Sequence, residues 1–146
     1  MQYDKKMGIG VRVMILKNGK VLLGKRRANL EKAGSPLHGG GTWTMPGGKV
    51  DFGENLEEAM FREVLEEAET KIDKDDLRLS SVSYNIINDR QFVTLGFITE
   101  SFEGEPKVSP GGEIIEWKWF SLDNLPDNLY FASADILNNH LNNKIY

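Results

Sequence analysis

Cysteine is absent from the 146 residues of this chain. This absence excludes disulfides, thiolate metal sites and cysteine nucleophiles together. Long apolar runs are missing as well, because no stretch approaches the roughly 20 apolar residues that a membrane-spanning helix needs. The N-terminus also lacks the apolar core of a signal peptide. We therefore expect a cytoplasmic protein.

An excess of positive charge is missing too. The chain carries 18 Lys and Arg against 22 Asp and Glu, a net charge of −4, which argues against nonspecific binding to a nucleic-acid backbone. An anionic small substrate is compatible with this charge, because bound metal ions would reverse the local field. With 40% hydrophobic and 27% charged residues, the chain is expected to form one globular domain spanning residues 1–146.

Segments rich in apolar and β-branched residues predict strands on both sides of one long helix. They are residues 8–16, 20–25, 42–45, 77–87, 91–100 and 113–120. Asn18-Gly19 predicts a tight hairpin between the first two strands. A second helix is predicted over residues 133–141, with Ser133 as its N-cap. The pattern favours the α/β class and an α/β/α sandwich, in which helices cover both faces of a mixed sheet.

A loop is predicted for residues 28–41, which contain four glycines and one proline. His38 lies in this loop. A lone histidine in a loop is more often incidental than catalytic, but loops beside active sites often contact substrate. The loop could therefore act as a flap over a site.

Residues 48–70 are the most informative stretch of the chain. Asn55 is a predicted helix N-cap, and Glu57 and Glu58 follow in the first turn, where the helix dipole favours anions. At 3.6 residues per turn, three carboxylates then share an arc of roughly 100°: Glu63, Glu66 and Glu67. Another arc carries apolar residues suited to burial against a sheet: Phe61, Val64, Leu65 and Ala68.

Three carboxylates on one helix face repel one another unless cations neutralise them or water screens them. Oxygen-only ligands at this spacing suit a hard divalent cation, Mg²⁺ or Mn²⁺. Mg²⁺ is usually held by one or two carboxylates together with substrate phosphates, so these residues indicate phosphate chemistry. The alternative is an ordinary solvated helix whose acids face water.

The order of residues in this stretch resembles the Nudix box, the signature of the Nudix hydrolase family. The matching residues, with five positions between the first two and seven between the second and third, are Gly48, Glu54, Arg62, Glu63, Glu66 and Glu67. Two later positions depart, because the family pattern has Gly and an aliphatic residue where this chain has Glu69 and Thr70. The family Gly ends the helix in a left-handed conformation that a glutamate enters only at some energetic cost. We therefore expect the helix to continue for another turn rather than to end there.

The resemblance implies the α/β/α fold of that family and hydrolysis of a pyrophosphate bond. The substrate would be a nucleoside diphosphate linked to another group, attacked at phosphorus by water. The implied cofactor is Mg²⁺ (or Mn²⁺), with Glu63, Glu66 and Glu67 as ligands. The backbone carbonyl of Gly47 or Gly48 is an additional candidate ligand.

Other roles follow from the same resemblance. Arg62 is expected to orient a carboxylate such as Glu54 through a bidentate pair. The general base stays open between Glu66 and Glu67 of the box and two acids outside it. These two outside candidates are Glu113 and Glu116.

The substrate is expected to be a nucleoside triphosphate that is converted to the monophosphate and pyrophosphate. The GTWTMPGG segment before the box and the FVT strand look like that branch of the family. The candidate substrate-binding residues are three aromatics for the base, Trp43, Phe92 and Trp119, and Arg27 for a phosphate. Each also has a structural alternative, such as core packing for Trp43.

Two other functions stay open. One is an ADP-ribose or nucleotide-sugar pyrophosphatase, and the other is a non-catalytic nucleotide-binding or sensor domain of the same fold. Intact carboxylates in the box argue against the second. The expected partners are a small-molecule nucleotide and, in a homodimer, a second copy of the chain, whereas nucleic acid and membranes are not expected.

Overall fold

The computed structural model describes residues 6–28 and 39–146. His38 and most of its predicted loop lie outside these residues. Within them the chain forms nine strands and two α-helices. In chain order they are β1 (Lys6–Lys17), β2 (Lys20–Arg26), β3 (Trp43–Thr44), β4 (Gly47–Lys49), α1 (Leu56–Ala68), β5 (Lys71–Ile72), β6 (Arg78–Ile87), β7 (Arg90–Thr99), β8 (Phe102–Glu103), β9 (Ile114–Ser121) and α2 (Phe131–Leu141).

Seven of the strands form one mixed sheet in the order β3-β2-β1-β7-β6, with β4 paired to β1 and β9 paired to β2. Strands β1 and β7 run parallel, and the other pairs are antiparallel. The predicted hairpin turn between β1 and β2 is confirmed, because Asn18 and Gly19 both have positive φ, at 52° and 76°. Strands β5 and β8, which the sequence did not predict, form a separate pair.

The core has two parts, one on each face of the sheet. Alternate residues of β1 point to opposite faces, so that Val11 and Val13 pack with Val64 of α1. Met14 instead packs with Ile136 of α2. The two helices therefore cover opposite faces, and the predicted α/β/α sandwich is confirmed. In the described part of the chain, neither helix is long and apolar enough to span a membrane.

Helix α1 begins as the sequence predicts. The side chain of Asn55 accepts a hydrogen bond from the backbone N–H of Glu58, and two acids occupy the first turn. The prediction of the buried face is partly wrong, because the Leu65 side chain is exposed while Ala59 and Met60 are fully buried. The buried arc is therefore rotated about the helix axis, away from Leu65 and toward Ala59 and Met60.

The expected extra turn at the end of α1 is wrong. The helix ends at Ala68, and Glu69 adopts the left-handed conformation with φ 52° and ψ 35°. The backbone N–H of Lys107 and the hydroxyl of Thr70 both donate to the carbonyl of Ala68. These bonds hold the chain beyond the helix in place, and they outweigh the cost of placing a glutamate in this conformation.

We expect the substitution Glu69→Gly to stabilise the protein by up to about 1 kcal/mol. It relieves about 1–2 kcal/mol of left-handed strain, and the added freedom of the unfolded chain offsets part of this gain. Urea denaturation of both proteins would measure the difference. The matched control is Glu57→Gly, an exposed position inside the first turn, which should lose about 1 kcal/mol. A Glu69→Gly variant that is less stable than the parent would contradict the strain argument.

The predicted N-cap of the second helix is also wrong. Helix α2 begins at Phe131 with Tyr130 at the cap position, so Ser133 lies inside the helix, where it is fully buried. Its hydroxyl accepts a hydrogen bond from the backbone N–H of Met45 at 2.9 Å and contacts the Thr44 hydroxyl at 3.0 Å. Ser133 therefore joins α2 to the segment that leads into β4.

Candidate active site

Strand β4 brings the glycines of the sequence motif against β1. Gly47 lies opposite Arg12 and Gly48 opposite Val11. A Cβ atom at Gly47 would overlap the carbonyl oxygen of Val11, so this approach requires glycine. The backbone N–H of Gly47 donates to Oε1 of Glu67 at 2.8 Å. The close approach of the two strands thus fixes one of the predicted catalytic carboxylates.

Gly48 gives space to a second carboxylate. A Cβ atom at this position would lie 2.6 Å from Cδ of Glu63, so the Glu63 carboxylate lies directly over the glycine backbone. Nη1 of Arg62 lies 2.9 Å from Oε1 of Glu63. The Glu63 side chain is thus held between the glycine strand and an arginine.

The predicted pair of Arg62 and Glu54 is present and bidentate. Nε of Arg62 lies 2.6 Å from Oε2 of Glu54, and Nη2 lies 2.9 Å from Oε1. These bonds, followed by one from the backbone N–H of Asp51, lower the pKa of Glu54 to about 2. Arg62 also donates to the carbonyl of Lys49. It therefore ties the loop before α1 to the carboxylate face of the helix.

The three carboxylates of the helix face lie in different environments. Burial raises the pKa of Glu67 to about 7, against the opposing effects of the Arg12 charge and the Gly47 N–H. Burial also raises the pKa of Glu63, and the Arg62 hydrogen bond opposes this rise. The Glu66 side chain is 59% exposed. Burial therefore makes the ionised forms of two carboxylates costly even though Arg62 and Arg12 lie near them.

These three carboxylates line one cavity, which we call the carboxylate cavity. Its other lining residues are Ser109, Gly112, Glu113 and Ile114. In residues 6–28 and 39–146, no three acidic or histidine side chains form a preformed metal site. Glu63 instead contacts Arg62, and Glu67 accepts a hydrogen bond from Gly47. The oxygen donors still fit a hard divalent ion, since Mg²⁺ needs only one or two carboxylates beside substrate phosphates.

Of the two acids outside the box that could serve as general base, the structure brings Glu113 to this cavity. Its carboxylate lies 3.1 Å from Nη2 of Arg26, a side chain that is only 7% exposed. Glu116 instead lies opposite Lys25 in the β2–β9 pair and does not line the carboxylate cavity. Glu113 is therefore the one of these two acids that lines the carboxylate cavity.

A second cavity lies on the α2 face of the sheet, and we call it the aromatic cavity. It contains Phe92, one of the predicted substrate residues, and the start of α2 forms one wall. The remaining lining residues are Gly8, Ile9, Gly10, Arg12, Gly48, Lys49, Thr94, Tyr130, Phe131 and Ala132. Gly48 also lies against Glu63, which lines the carboxylate cavity, so this contact joins the linings of the two cavities.

The other predicted substrate residues do not line either cavity. Trp43 packs edge-on against Phe120 with ring centres 4.9 Å apart, in the core on the α2 face. Trp119 lies 5.8 Å from Phe102 in the core on the α1 face. The structure thus places the two tryptophans on opposite sides of the sheet, where they do not enclose a common base. Nη2 of Arg27 donates to the Gly112 carbonyl at 2.8 Å, and its role toward a phosphate stays a prediction.

Two residues at the aromatic cavity were missed by the sequence analysis. Arg12 lies in the middle of an otherwise apolar strand, and such a charge needs polar partners, which is the signal that could have identified it. Tyr130 gives no such signal in sequence. Its ring lies beneath the guanidinium groups of Arg12 and Arg26, at 5.2 and 4.9 Å. Burial raises the pKa of Tyr130.

Comparison with known proteins gives one consistent result. The model of the NUDIX domain matches residues 6–139. The chain is 30% identical to an oxidized purine nucleoside triphosphate hydrolase of Danio rerio, over 86% of this chain and 72% of that protein. It is 33% identical to an ADP-ribose pyrophosphatase of Methanocaldococcus jannaschii, over 91% and 72%. The crystal structure of a MutT NUDIX hydrolase from Burkholderia pseudomallei superposes with a TM-score of 0.78 at 31% identity, covering 90% of this chain and 96% of that one.

Proposed function

Because this chain belongs to the Nudix family and is a pyrophosphohydrolase of that family, we propose that it converts a nucleoside triphosphate to the monophosphate and pyrophosphate, with Mg²⁺ as cofactor. The observation that carries this proposal is the adjacency of the aromatic cavity and the carboxylate cavity across Gly48. One cavity offers a stacking surface for a base, and the other offers oxygen ligands for a metal–phosphate complex.

The nucleoside is proposed to occupy the aromatic cavity. Phe92 of β7 supplies one aromatic side chain to the cavity lining, and Tyr130 and Phe131 at the start of α2 supply two more. Gly8 and Gly10 have no side chains, so they leave the floor of the aromatic cavity open. A base stacked there needs only one slot and a few polar contacts, and Thr94 offers one such contact from its position on the floor.

The phosphates are proposed to extend past Gly48 to the carboxylate cavity. Glu63, Glu66 and Glu67 would hold the cation, with the Gly47 carbonyl as a further candidate ligand. A divalent ion bound there would neutralise phosphate oxygens and lower the pKa of a bound water. Arg62 holds Glu63 beside Gly48 through its 2.9 Å ion pair.

A proton must leave the attacking water. The candidate acceptors are Glu66, Glu67, which has a pKa near 7 in the absence of metal, and Glu113, which lines the same cavity. The Arg26 pair holds Glu113 in place. We retain all three candidates, since each carboxylate can accept a proton through one intervening water.

ADP-ribose is the competing substrate, and the Methanocaldococcus jannaschii relative is the observation that favours it. ADP-ribose carries a second ribose beyond its diphosphate, which would need polar groups on the far side of the carboxylate cavity. The carboxylate cavity is also lined by Ser109 and Gly112, of the segment before β9, which offer polar groups for such a contact. Activity assays must therefore compare the two substrate classes directly.

The test is kcat/KM measured side by side for the common nucleoside triphosphates, an oxidised guanine triphosphate, ADP-ribose and a diadenosine polyphosphate. Product analysis should find pyrophosphate and nucleoside monophosphate, and activity should require Mg²⁺. The variant Glu67→Gln, purified identically, controls for contaminating phosphatases. If ADP-ribose exceeds every triphosphate tenfold, about 1.4 kcal/mol in transition-state binding, the ADP-ribose function replaces the proposed one.

A further inference from the structure

Arg12 is a cation whose donors are only partly used by the protein. Its Nη1 donates to the hydroxyl of Thr44 at 3.0 Å and to the carbonyl of Met45 at 2.8 Å. Its Nε and Nη2 donate to none of the residues that the structure describes. The side chain is half-buried and lines the aromatic cavity. A guanidinium in this state has donors available for a ligand.

The position of this guanidinium is fixed from two sides. Its anchors, Thr44 and Met45, are themselves bound to the fully buried hydroxyl of Ser133 in α2. The Tyr130 ring lies against the guanidinium at 5.2 Å. The unused donors are therefore preorganised, and little conformational entropy is lost when a ligand accepts from them.

Arg12 also acts on the carboxylate cavity, since its charge opposes the rise in the pKa of Glu67. It lines the aromatic cavity beside Phe92, and its anchor Met45 is two residues before Gly47, whose N–H holds Glu67. In a nucleotide, the groups between the base and the outer phosphates are the sugar and the first phosphate. The sugar has no charge, whereas a phosphate accepts two parallel hydrogen bonds from a guanidinium.

We propose that Arg12 binds the phosphate attached to the nucleoside, which is the phosphate that remains on the monophosphate product. This assignment rests on the proposed binding of a nucleotide across the two cavities. The neighbouring arginines are engaged elsewhere, Arg26 with the Glu113 carboxylate and Arg27 with the Gly112 carbonyl. Arg12 thus determines how tightly the nucleoside end of the substrate is held while the outer phosphates are removed.

The test measures binding rather than turnover. Isothermal titration with guanosine and adenosine, and with their 5′-monophosphates, in the presence of Mg²⁺ gives the affinity gained from one phosphate. The monophosphates have no pyrophosphate bond and are not consumed. In the parent protein we expect the better-bound monophosphate to bind about 10- to 100-fold more tightly than its nucleoside, the range for a charge-assisted hydrogen-bonded pair. In Arg12→Gln this ratio should fall to within about twofold of unity, while nucleoside affinity is retained.

Two further variants sharpen the result. Arg12→Lys keeps the positive charge but loses the two parallel guanidinium donors, so it should retain only part of the monophosphate-to-nucleoside affinity ratio. If Arg12→Gln fails to fold, Arg12→Lys is the variant that tests the assignment. Arg78→Gln removes an exposed arginine at the start of β6 and should leave the ratio unchanged. A ratio that is lost in Arg27→Gln, or kept in Arg12→Gln, would overturn the assignment. An equal loss of nucleoside and monophosphate affinity would do so as well, because Arg12 would then only support the cavity wall.

The two proposals fail separately. If no triphosphate is hydrolysed but the monophosphate-to-nucleoside affinity ratio still depends on Arg12, the proposed reaction is wrong and the proposed phosphate site stands. If triphosphates are hydrolysed and Arg12→Gln keeps the parent ratio, the reaction stands and Arg12 is not the phosphate ligand.

Discussion

The substitution Glu67→Gln is expected to lower kcat by about three orders of magnitude or more while the fold persists. The amide oxygen can still accept the hydrogen bond that Gly47 now donates to Glu67, so the local structure has no reason to change. The negative charge is lost, and with it a ligand worth several kcal/mol in the barrier. Steady-state kinetics with the best triphosphate, together with a thermal melt, would measure both effects.

The matched control for this experiment is Glu57→Gln. It removes the same charge from the same helix, at an exposed first-turn position that does not line the carboxylate cavity. Its kcat should stay within about twofold of the parent value, since an exposed charge at this distance is largely screened. A Glu67→Gln enzyme that kept more than about a tenth of the parent kcat would remove Glu67 from the catalytic role assigned to it.

The parts of the site that the sequence predicted are those decided by local spacing. The cap at Asn55 and the shared face of Glu63 and Glu67 depend on residues within two or three turns of one helix, and these positions follow from helix geometry. The pair of Arg62 and Glu54 spans only eight residues, and the family pattern already contained both. Such features need no knowledge of the tertiary structure.

The features that the sequence predicted wrongly depend on contacts between residues that are distant in sequence. Glu69 ends the helix where the family pattern has glycine, and the chain there is held by a bond from the distant N–H of Lys107 to the carbonyl of Ala68, which local spacing does not indicate. Ser133 is a bridge to Met45 rather than a cap, through partners 88 residues apart. The pairing of strands likewise decided which face each tryptophan occupies. Sequence pattern therefore predicted the carboxylate-bearing helix better than it predicted the residues that line the aromatic cavity.

The metal-free protein should become less stable as pH rises from about 4.5 to about 7. Glu67 has a pKa of 4.5 when unfolded and about 7 when folded, because burial disfavours its ionised form. The folded state therefore binds more protons in this window, and the free energy of unfolding falls as pH rises. The stabilisation is fully present below pH 4.5 and lost above pH 7, up to about 3 kcal/mol for this shift. Glu63 adds to the loss in the same direction.

Urea denaturation in EDTA across this pH range would measure the loss, with Glu67→Gln and Glu57→Gln beside the parent. Glu67→Gln should show a flatter profile, because an amide does not titrate, and it should be the more stable protein at pH 7.5. Glu57→Gln should follow the parent. Saturating Mg²⁺ should reduce the slope in the parent, since a bound cation favours the ionised carboxylate in the folded state. Parallel profiles for Glu67→Gln and the parent would show that burial of Glu67 does not control stability. If the expected profiles are observed, Glu67 destabilises the metal-free fold at neutral pH although the proposed catalysis requires it.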